Sequence, residues 1–184
     1  MKAEIRKRIR EQMKKISDDD YEMMSGKIFE NLLTLPEYRN CWVLMTYVSF
    51  NREPDTMRII RDSLNRAKTV CIPSIDWKNF SMTPVQIFNE DDIDFSSKIP
   101  QPFSSALIPP DEIDLIIVPG LAFDINCNRL GRGKGFYDRF LLYCKNAMKI
   151  GLAFDFQILE FLDVTENDVR LDAIITETRI LKSS

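Results

Sequence analysis

Hydrophobic positions repeat at helical spacing at the start of the chain. Ile5, Ile9 and Met13 recur every four residues within residues 2–15, which places them on one face of a helix. Most of the other side chains in this segment are charged, and the majority of these are basic. The pattern therefore predicts a basic helix with one narrow apolar stripe that packs at the edge of the protein.

A second helix is predicted over residues 21–32, where apolar residues again recur at helical spacing. Ser17 and Asp20 stand in front of this segment with the spacing of a capping pair. Pro36 follows it, and a proline at that distance ends a helix. The two segments together predict a pair of helices before the first strand.

The middle of the chain alternates between strand and helix patterns. Residues 42–49 are rich in β-branched and aromatic side chains and predict a first core strand. Asp55 and Thr56 can cap a helix that continues to residue 64, and residues 69–73 predict a second strand. This strand, helix, strand order is typical of a parallel crossover and therefore of an α/β sheet.

The second half continues this alternation after a hairpin arm at residues 80–88 and a surface loop at 89–110 that carries four prolines. A continuous apolar run precedes Pro119 and Gly120, as expected for a central strand covered on both faces. The predicted elements are this strand at 115–118, a helix at 136–145, a strand at 149–154, a short helix at 156–162 and a strand at 173–176. We therefore predict α/β topology: an open, mostly parallel or mixed sheet with helices on both faces.

Length and composition limit the domain count and the class of protein. A chain of 184 residues fits one domain, and 45% hydrophobic with 29% charged residues is ordinary for a globular protein. The net charge of −3 excludes a general attraction to nucleic acid or to an anionic membrane. The N-terminal segment lacks the apolar run of a secretory signal or membrane anchor, which predicts a cytoplasmic protein.

The residue types that are missing narrow the chemistry further. The chain has no histidine, which excludes serine and cysteine nucleophiles paired with histidine and removes the commonest metal ligand. Its four cysteines are widely spaced and form no CxxC pair, so they predict reduced thiols and no zinc site. Any catalysis must therefore depend on cations, carboxylates and backbone groups.

A glycine-rich segment at residues 129–135 leads into the helix that is predicted to begin at residue 136. Three glycines alternate with two cations there: Gly131, Arg132, Gly133, Lys134 and Gly135. Backbone N–H groups of such a loop can approach a phosphate closely at the N-terminus of a helix. The spacing matches neither the P-loop nor the dinucleotide-binding fingerprint, and the alternative is a tight turn with no ligand.

The segments VPGLAFD at 118–124 and RLGRGKGFYDRFL at 129–141 resemble the signature of the 5-formyltetrahydrofolate cyclo-ligase family, the methenyltetrahydrofolate synthetases. The likeness extends to YVSF and EPDT near residue 50, to IGLAFDFQ, and to DVRLDAIITE at 168–177. It implies that ATP and Mg²⁺ drive conversion of 5-formyltetrahydrofolate to 5,10-methenyltetrahydrofolate with release of ADP and phosphate. Phosphoryl transfer needs positioning and cations more than a titrating base, so the absence of histidine is compatible with this reaction.

The resemblance also implies which residues bind ATP. Lys134 and Arg132 match the positions that neutralise the transferring phosphate and are the implied catalytic residues. The full implied ATP site consists of Lys2, Arg6, Arg129, Leu130, Gly131, Arg132, Gly133, Lys134, Gly135, Phe136 and Tyr137. The alternative for Lys2 and Arg6 is an ordinary solvated basic helix, and for the two loop cations it is solvation without a ligand.

The folate and metal positions follow from the same resemblance. Asp138 and Asp172 are the implied Mg²⁺ ligands, and hard oxygen ligands suit this ion. The implied folate site consists of Phe50, Asp55, Arg132, Gly133, Lys134, Gly135 and Phe136. The alternatives are that Asp55 and Asp138 cap helices, that Asp172 ends a loop, and that the aromatic residues pack in the core.

Two departures from the family pattern concern substrate preference: Phe136 stands where a tyrosine is frequent, and Asn167 where a histidine is frequent.

The resemblance implies that the partners are a reduced folate and ATP, bound by a monomer. Three rival hypotheses remain at this point. They are a nucleotide or folate sensor without turnover, an RNA-associated protein that uses the basic N-terminal helix, and the same chemistry on another formamide or carboxylate.

Overall fold

Five helices and twelve strands make up the chain in the computed structural model, which describes all 184 residues, Met1–Ser184. The helices are α1 (Lys2–Lys14), α2 (Asp18–Leu33), α3 (Pro36–Asn40), α4 (Met57–Asn65) and α5 (Phe136–Leu141). The first six strands are β1 (Val43–Thr46), β2 (Thr69–Asp76), β3 (Ser81–Ile87), β4 (Ile93–Asp94), β5 (Gln101–Pro102) and β6 (Leu115–Val118). The other six are β7 (Ala122–Asp124), β8 (Arg129–Leu130), β9 (Met148–Leu152), β10 (Ile158–Leu159), β11 (Ala173–Ile175) and β12 (Ile180–Lys182).

Seven strands form the main sheet in the order β12-β11-β9-β6-β1-β2-β3. The five inner strands pair in parallel, and the two edge strands, β12 and β3, pair antiparallel to their neighbours. The predicted mostly parallel or mixed sheet is therefore confirmed, including the parallel crossover from β1 through α4 to β2. The carboxyl ends of the parallel strands meet at one edge of the sheet, where α/β proteins bind their ligands.

Strand β6 lies in the middle of the sheet and shows why helices cover both faces. Its side chains alternate between the two faces because successive residues of a strand point in opposite directions. Leu115 and Ile117 pack against buried residues of α2, α3 and α4. Ile116 and Val118 pack on the other face with residues of α5. The predicted helices on both faces are thus confirmed.

The N-terminal helix packs against the smaller three-stranded sheet, whose order is β10-β7-β8. The predicted apolar stripe of α1 is buried through Ile9 and Met13, which contact Leu121, Ala122 and Leu130. Strand β8 leads directly into the glycine-rich segment. Helix α1 therefore lies beside that segment, and its first turn can reach it. None of the five helices is long and apolar enough to cross a membrane.

Several predicted boundaries differ from the observed ones. The predicted helix at 156–162 is wrong, because this segment contains the end of one 3₁₀ turn, Asp155–Gln157, and then strand β10, which pairs in parallel with β7. The buried side chain of Gln157 donates to the carbonyl of Leu121 at 2.9 Å, which holds the segment extended against β7. The predicted loop at 89–110 contains the short hairpin of β4 and β5. Helix α5 is shorter than predicted and ends at Leu141.

We expect that Ile117→Ala lowers the free energy of unfolding by about 2–5 kcal/mol, because the side chain is fully buried in the central strand and its loss leaves a cavity. Ile125→Ala is the matched control, since Ile125 is 51% exposed. Urea denaturation of both variants measures the difference. Equal destabilisation by the two substitutions would contradict the central position of β6.

Candidate active site

A cavity of about 270 Å³ lies at the carboxyl ends of the parallel strands. Its walls come from the first turns of α1, the turn after β1, the end of β2, the turn after β6 and the whole glycine-rich segment. These parts are distant in sequence and meet only because the parallel strands end at the same edge. Of the predicted residues, only Asp55 and Asp172 do not line this cavity.

Each glycine of the glycine-rich loop has a left-handed backbone conformation, a close neighbour at the Cβ position, or both. Gly133 and Gly135 have φ of 105° and 68°, the left-handed region that side-chain-bearing residues rarely adopt. A Cβ on Gly131 would lie 2.7 Å from Nη1 of Arg129, and a Cβ on Gly135 would lie 2.8 Å from Nη1 of Arg139. The loop therefore turns tightly around arginine side chains, and a methyl group added at Gly131 or Gly135 would displace them.

Arg129 supports the loop from inside the protein. Its side chain is 4% exposed, and it donates to the Asp138 carboxylate at 2.6 Å and to the Pro119 carbonyl at 3.1 Å. These bonds join the strand before the loop, the turn after β6 and the first turn of α5. Arg129 lines the cavity as predicted, but both of its Nη atoms already donate to partners within the protein, and only its buried Nε has none.

The first turns of α1 bring two predicted cations to the loop. Nε of Arg6 donates to the carbonyl of Gly131 at 2.9 Å. Nζ of Lys2 lies 3.4 Å from the carboxylate of Asp168. Because Lys2 and Arg6 are four residues apart on one helix, both face the cavity. The alternative of a purely solvated helix face does not describe these two residues.

Glu53 places a buried carboxylate in the cavity and was not among the predicted site residues. Its carboxylate is 2.5 Å from Nη2 of Arg132 and accepts the backbone N–H of Phe50 at 3.2 Å. The Arg132 guanidinium also lies 4.4 Å from the centre of the Phe50 ring. Burial raises the pKa of the Glu53 carboxyl, and the nearby Arg132 partly offsets this rise.

A strained turn holds Glu53 and Phe50 toward the cavity. The Glu53 N–H donates to the Phe50 carbonyl at 3.2 Å, which closes a four-residue turn. Its two central residues, Asn51 and Arg52, have φ of 52° and 61°. Left-handed conformations cost energy for such residues and are concentrated at functional sites. An ion pair between Arg52 and Asp18 of α2 helps to hold the turn in place.

Asp55, the predicted folate carboxylate, points elsewhere. Its carboxylate accepts the N–H of Met57 at 2.9 Å at the start of α4 and lies 3.3 Å from Nε of Arg58. This is the helix-capping alternative raised above for Asp55. The carboxylate that enters the cavity from the EPDT segment is Glu53, two residues earlier.

The two predicted metal ligands lie at opposite ends of the sheet. Asp138 lines the cavity, whereas Asp172 precedes β11 and accepts the N–H of Lys149 at 2.7 Å beside the amino end of β9. Amino ends of parallel strands face away from the cavity, so Asp172 cannot share an ion with Asp138. Asp168 is the carboxylate of this C-terminal segment that lines the cavity. No three histidine, cysteine, aspartate or glutamate side chains cluster as a metal site.

Two side chains of the loop and helix α5 carry polar atoms without a partner in the protein. Lys134 is exposed, lines the cavity and forms no ion pair. The Tyr137 hydroxyl is buried and makes no hydrogen bond. Burial also raises the pKa of this phenol, which keeps it protonated as a donor. Both groups are therefore available to a ligand in the cavity.

An α/β domain with cations and a glycine-rich loop at the carboxyl ends of its strands has the features of a phosphate-binding protein. The chain belongs to the 5-formyltetrahydrofolate cyclo-ligase family, whose model matches residues 1–177. This match covers the glycine-rich loop, the turn with Glu53 and the segment with Asp168. The resemblance found in the sequence is thereby confirmed.

Individual relatives and a solved structure agree with the family assignment. The chain is 35% identical over 154 residues to a 5-formyltetrahydrofolate cyclo-ligase of Mycoplasma genitalium, with 83% of this chain and 81% of the relative covered. It is 28% identical over 189 residues to the 5-formyltetrahydrofolate cyclo-ligase of Mus musculus, with 96% and 93% covered. The solved structure of Aquifex aeolicus 5,10-methenyltetrahydrofolate synthetase is 28% identical, has a TM-score of 0.87 and covers 98% of this chain and 92% of its own.

We expect Glu53→Gln to become more stable relative to the wild type as the pH rises. A raised pKa in the folded state means that the folded protein keeps a proton which the unfolded chain has released. The wild type therefore loses stability as the pH rises from the ordinary glutamate pKa through the raised value, and the variant does not.

Urea denaturation of both proteins between pH 4 and pH 8 measures this difference, and Glu160→Gln on the exposed surface is the matched control. A difference between wild type and Glu53→Gln that stays constant, or that falls with rising pH, would contradict a buried carboxylate at this position.

Proposed function

We propose that the chain catalyses the ATP- and Mg²⁺-dependent conversion of 5-formyltetrahydrofolate to 5,10-methenyltetrahydrofolate, with release of ADP and phosphate. The observation that carries this proposal is the cavity itself. It joins a cationic glycine-rich loop to a buried carboxylate on a separate turn, Glu53. The cavity can therefore hold a phosphate donor and a polar heterocycle side by side, in contact with each other.

The triphosphate end of ATP binds to the loop and to α1. Backbone N–H groups of the loop, at the start of α5, face an anion favourably. Lys2 and Arg6 supply positive charge from the neighbouring helix, and Lys134 has no carboxylate partner that would compete with phosphate. Lys134 is therefore the residue that we assign to the transferring phosphate, with Arg132 beside it.

The reduced pterin binds between Phe50 and the buried polar groups. A carboxylate such as Glu53 can accept two N–H bonds from the amino-pyrimidine edge of a pterin, and charge-assisted bonds of this kind are strong. Phe50 covers a ring face, and the Tyr137 hydroxyl is a buried donor without a partner. We assign to Glu53 the role that the resemblance implied for Asp55.

The acidic residues of the cavity fit a magnesium ion that arrives with the nucleotide. Mg²⁺ takes one or two protein carboxylates and fills its other positions with phosphate oxygens and water. Asp138 and Asp168 line the cavity and would hold the ion, with Asp168 in place of Asp172. When bound, Mg²⁺ neutralises charge on the phosphate oxygens during transfer.

The chain's own residues then bring the two substrates together. The formyl oxygen attacks the γ-phosphorus, the β–γ bridging bond breaks, and ADP leaves. N10 next attacks the activated formyl carbon and gives up its proton to the departing phosphate, and the C–O bond breaks to release hydrogen phosphate and leave the cationic methenyl bridge. Neither step needs a histidine base, because the cations stabilise charge that develops on the phosphate. We also expect a monomer, and the four free buried cysteines agree with a reducing compartment such as the cytoplasm.

The direct test is the growth of methenyltetrahydrofolate absorbance when purified protein is mixed with 5-formyltetrahydrofolate, ATP and Mg²⁺. We expect product only with all three present and ADP in a one-to-one ratio. Folate or ATP binding without product would instead identify a sensor.

We expect Lys134→Ala to lower kcat by about 100-fold to 1,000-fold while leaving the fold intact, because the lysine stabilises charge in the transition state. Lys145→Ala, an exposed lysine outside the cavity, is the matched control and should retain wild-type turnover. Steady-state kinetics with a thermal unfolding check measures both variants. Wild-type turnover by Lys134→Ala would remove this residue from the catalytic site.

Asp168→Ala and Asp172→Ala should separate metal binding from stability. We expect Asp168→Ala to raise the Mg²⁺ concentration needed for half-maximal turnover. Asp172→Ala should leave it unchanged and lower the free energy of unfolding by no more than about 1 kcal/mol, because the Lys149 N–H loses its acceptor at an exposed position where water can replace it. Magnesium titrations and urea denaturation measure the two effects. The reverse pattern would restore Asp172 as the metal ligand.

A further inference from the structure

Three aromatic side chains form a wall at the open side of the cavity. The rings of Trp77 and Phe136 meet edge to face with centroids 5.2 Å apart, and Phe80 lies 6.2 Å from Phe136. Trp77 and Phe136 line the cavity. Trp77 is nevertheless 52% exposed and Phe80 48% exposed. Large aromatic surfaces left open to solvent beside a cavity are suited to stacking on a flat ligand ring.

The wall stands on the ordered tip of the β2–β3 hairpin. The Asp76 carboxylate accepts the N–H groups of Lys78 at 2.9 Å and Asn79 at 3.1 Å, which fixes the turn. Phe80 has a φ of 51°, a strained conformation for a bulky residue. An ordered turn therefore holds the side chains of Trp77 and Phe80 exposed.

Arg139 of α5 joins this hairpin tip to the phosphate loop. Its Nη2 donates to the carbonyl of Phe80 at 2.9 Å and to the carbonyl of Lys134 at 2.9 Å. Its guanidinium also lies 5.7 Å from the centre of the Phe136 ring. The arginine thereby fixes the distance between the aromatic wall and the loop that carries Lys134.

The wall belongs to the half of the cavity that holds Glu53. Trp77 follows β2, and the turn with Glu53 follows β1, the neighbouring strand. The cations of α1 approach from the other side, where α1 packs on β7 and β8. Apolar residues Ile75 and Pro100 lie on the same side of the cavity as Trp77. A ring stacked on Trp77 would therefore belong to the same ligand whose polar edge contacts Glu53.

We propose that Trp77 is a specificity-determining residue that stacks on the aminobenzoyl ring of the folate, and that Arg139 is a positioning residue for it. This inference rests on the proposed function, because it takes the ligand beside Glu53 to be a reduced folate. It assigns a role to the β2–β3 hairpin, which lies outside the glycine-rich signature.

Fluorescence of Trp77 tests the contact without any turnover. The chain has two tryptophans, and the other, Trp42, precedes β1 at the opposite end of the sheet. In Trp42→Phe, the remaining tryptophan should change in intensity as 4-aminobenzoylglutamate or 5-formyltetrahydrofolate is added, and saturate. An ATP titration should leave it unchanged. A response to ATP alone would assign the wall to adenine, and no response to either folate ligand would overturn the proposal.

Kinetics supplies the second readout. We expect Trp77→Ala to raise the KM for 5-formyltetrahydrofolate by about tenfold, a size typical of one lost stacking contact, while the KM for ATP stays within about twofold. Trp77→Phe should restore most of the affinity, and Trp42→Ala is the matched control. Arg139→Met should raise the folate KM although Trp77 is intact. An unchanged folate KM in Trp77→Ala would refute the role of Trp77.

The outcomes also separate this inference from the proposed reaction. A protein that binds 4-aminobenzoylglutamate at Trp77 but forms no methenyl product would refute the reaction and leave the stacking contact in place. A protein that forms product while Trp77 responds to no folate ligand would refute the stacking contact alone.

Discussion

The ion pair between Arg132 and Glu53 is the interaction on which the site depends. It joins the phosphate loop to the turn after β1, two parts of the chain 79 residues apart. Burial of a carboxylate is costly, and an ion pair offsets this cost only in part, so stability alone does not explain a glutamate at this position. The proposed ligand would explain it, because Glu53 and Arg132 would then both be used for recognition.

The arginines of the site divide into supporting and ligand-binding groups. Arg129 and Arg139 donate to carbonyl groups of the loop or its neighbours, and they fill the space that side chains on Gly131 and Gly135 would need. Lys134 is left without a protein partner. A count of cations in the sequence therefore overstates the number that bind phosphate. The same packing argues against an RNA-binding role for the first turns of α1, since Lys2 and Arg6 face the cavity.

The fold could be predicted from the sequence wherever the pattern was local and strong. The stripe of α1, the cap at Ser17 and the apolar run of β6 each predicted the observed element. Short segments failed, as at residues 156–162, where pairing with β7 and the buried Gln157 decide the conformation. Those contacts are with residues distant in sequence and leave no periodic signal.

The residues of the candidate site could likewise be predicted only where the sequence signal was local. The glycine-rich loop is contiguous, and its residues could be selected together from one motif. The carboxylates could not, because Glu53 and Asp55 are two residues apart and only the left-handed turn at Asn51 and Arg52 decides which one enters the cavity. Asp168 and Asp172 likewise belong to one segment, and the start of β11 determines which of them reaches the cavity. The glutamate of EPDT was visible in the sequence, but the direction of its side chain depended on tertiary structure.

In the proposed complex, the loop holds a phosphate against the formyl oxygen of a folate held by Glu53. The most direct measurement follows an oxygen-18 label from the formyl group of 5-formyltetrahydrofolate through one turnover with ATP. In the proposed reaction the formyl oxygen attacks phosphorus and leaves with it, so the released inorganic phosphate should carry one labelled oxygen for each methenyl product formed. Unlabelled phosphate, with the label recovered in water or formate, would contradict the account.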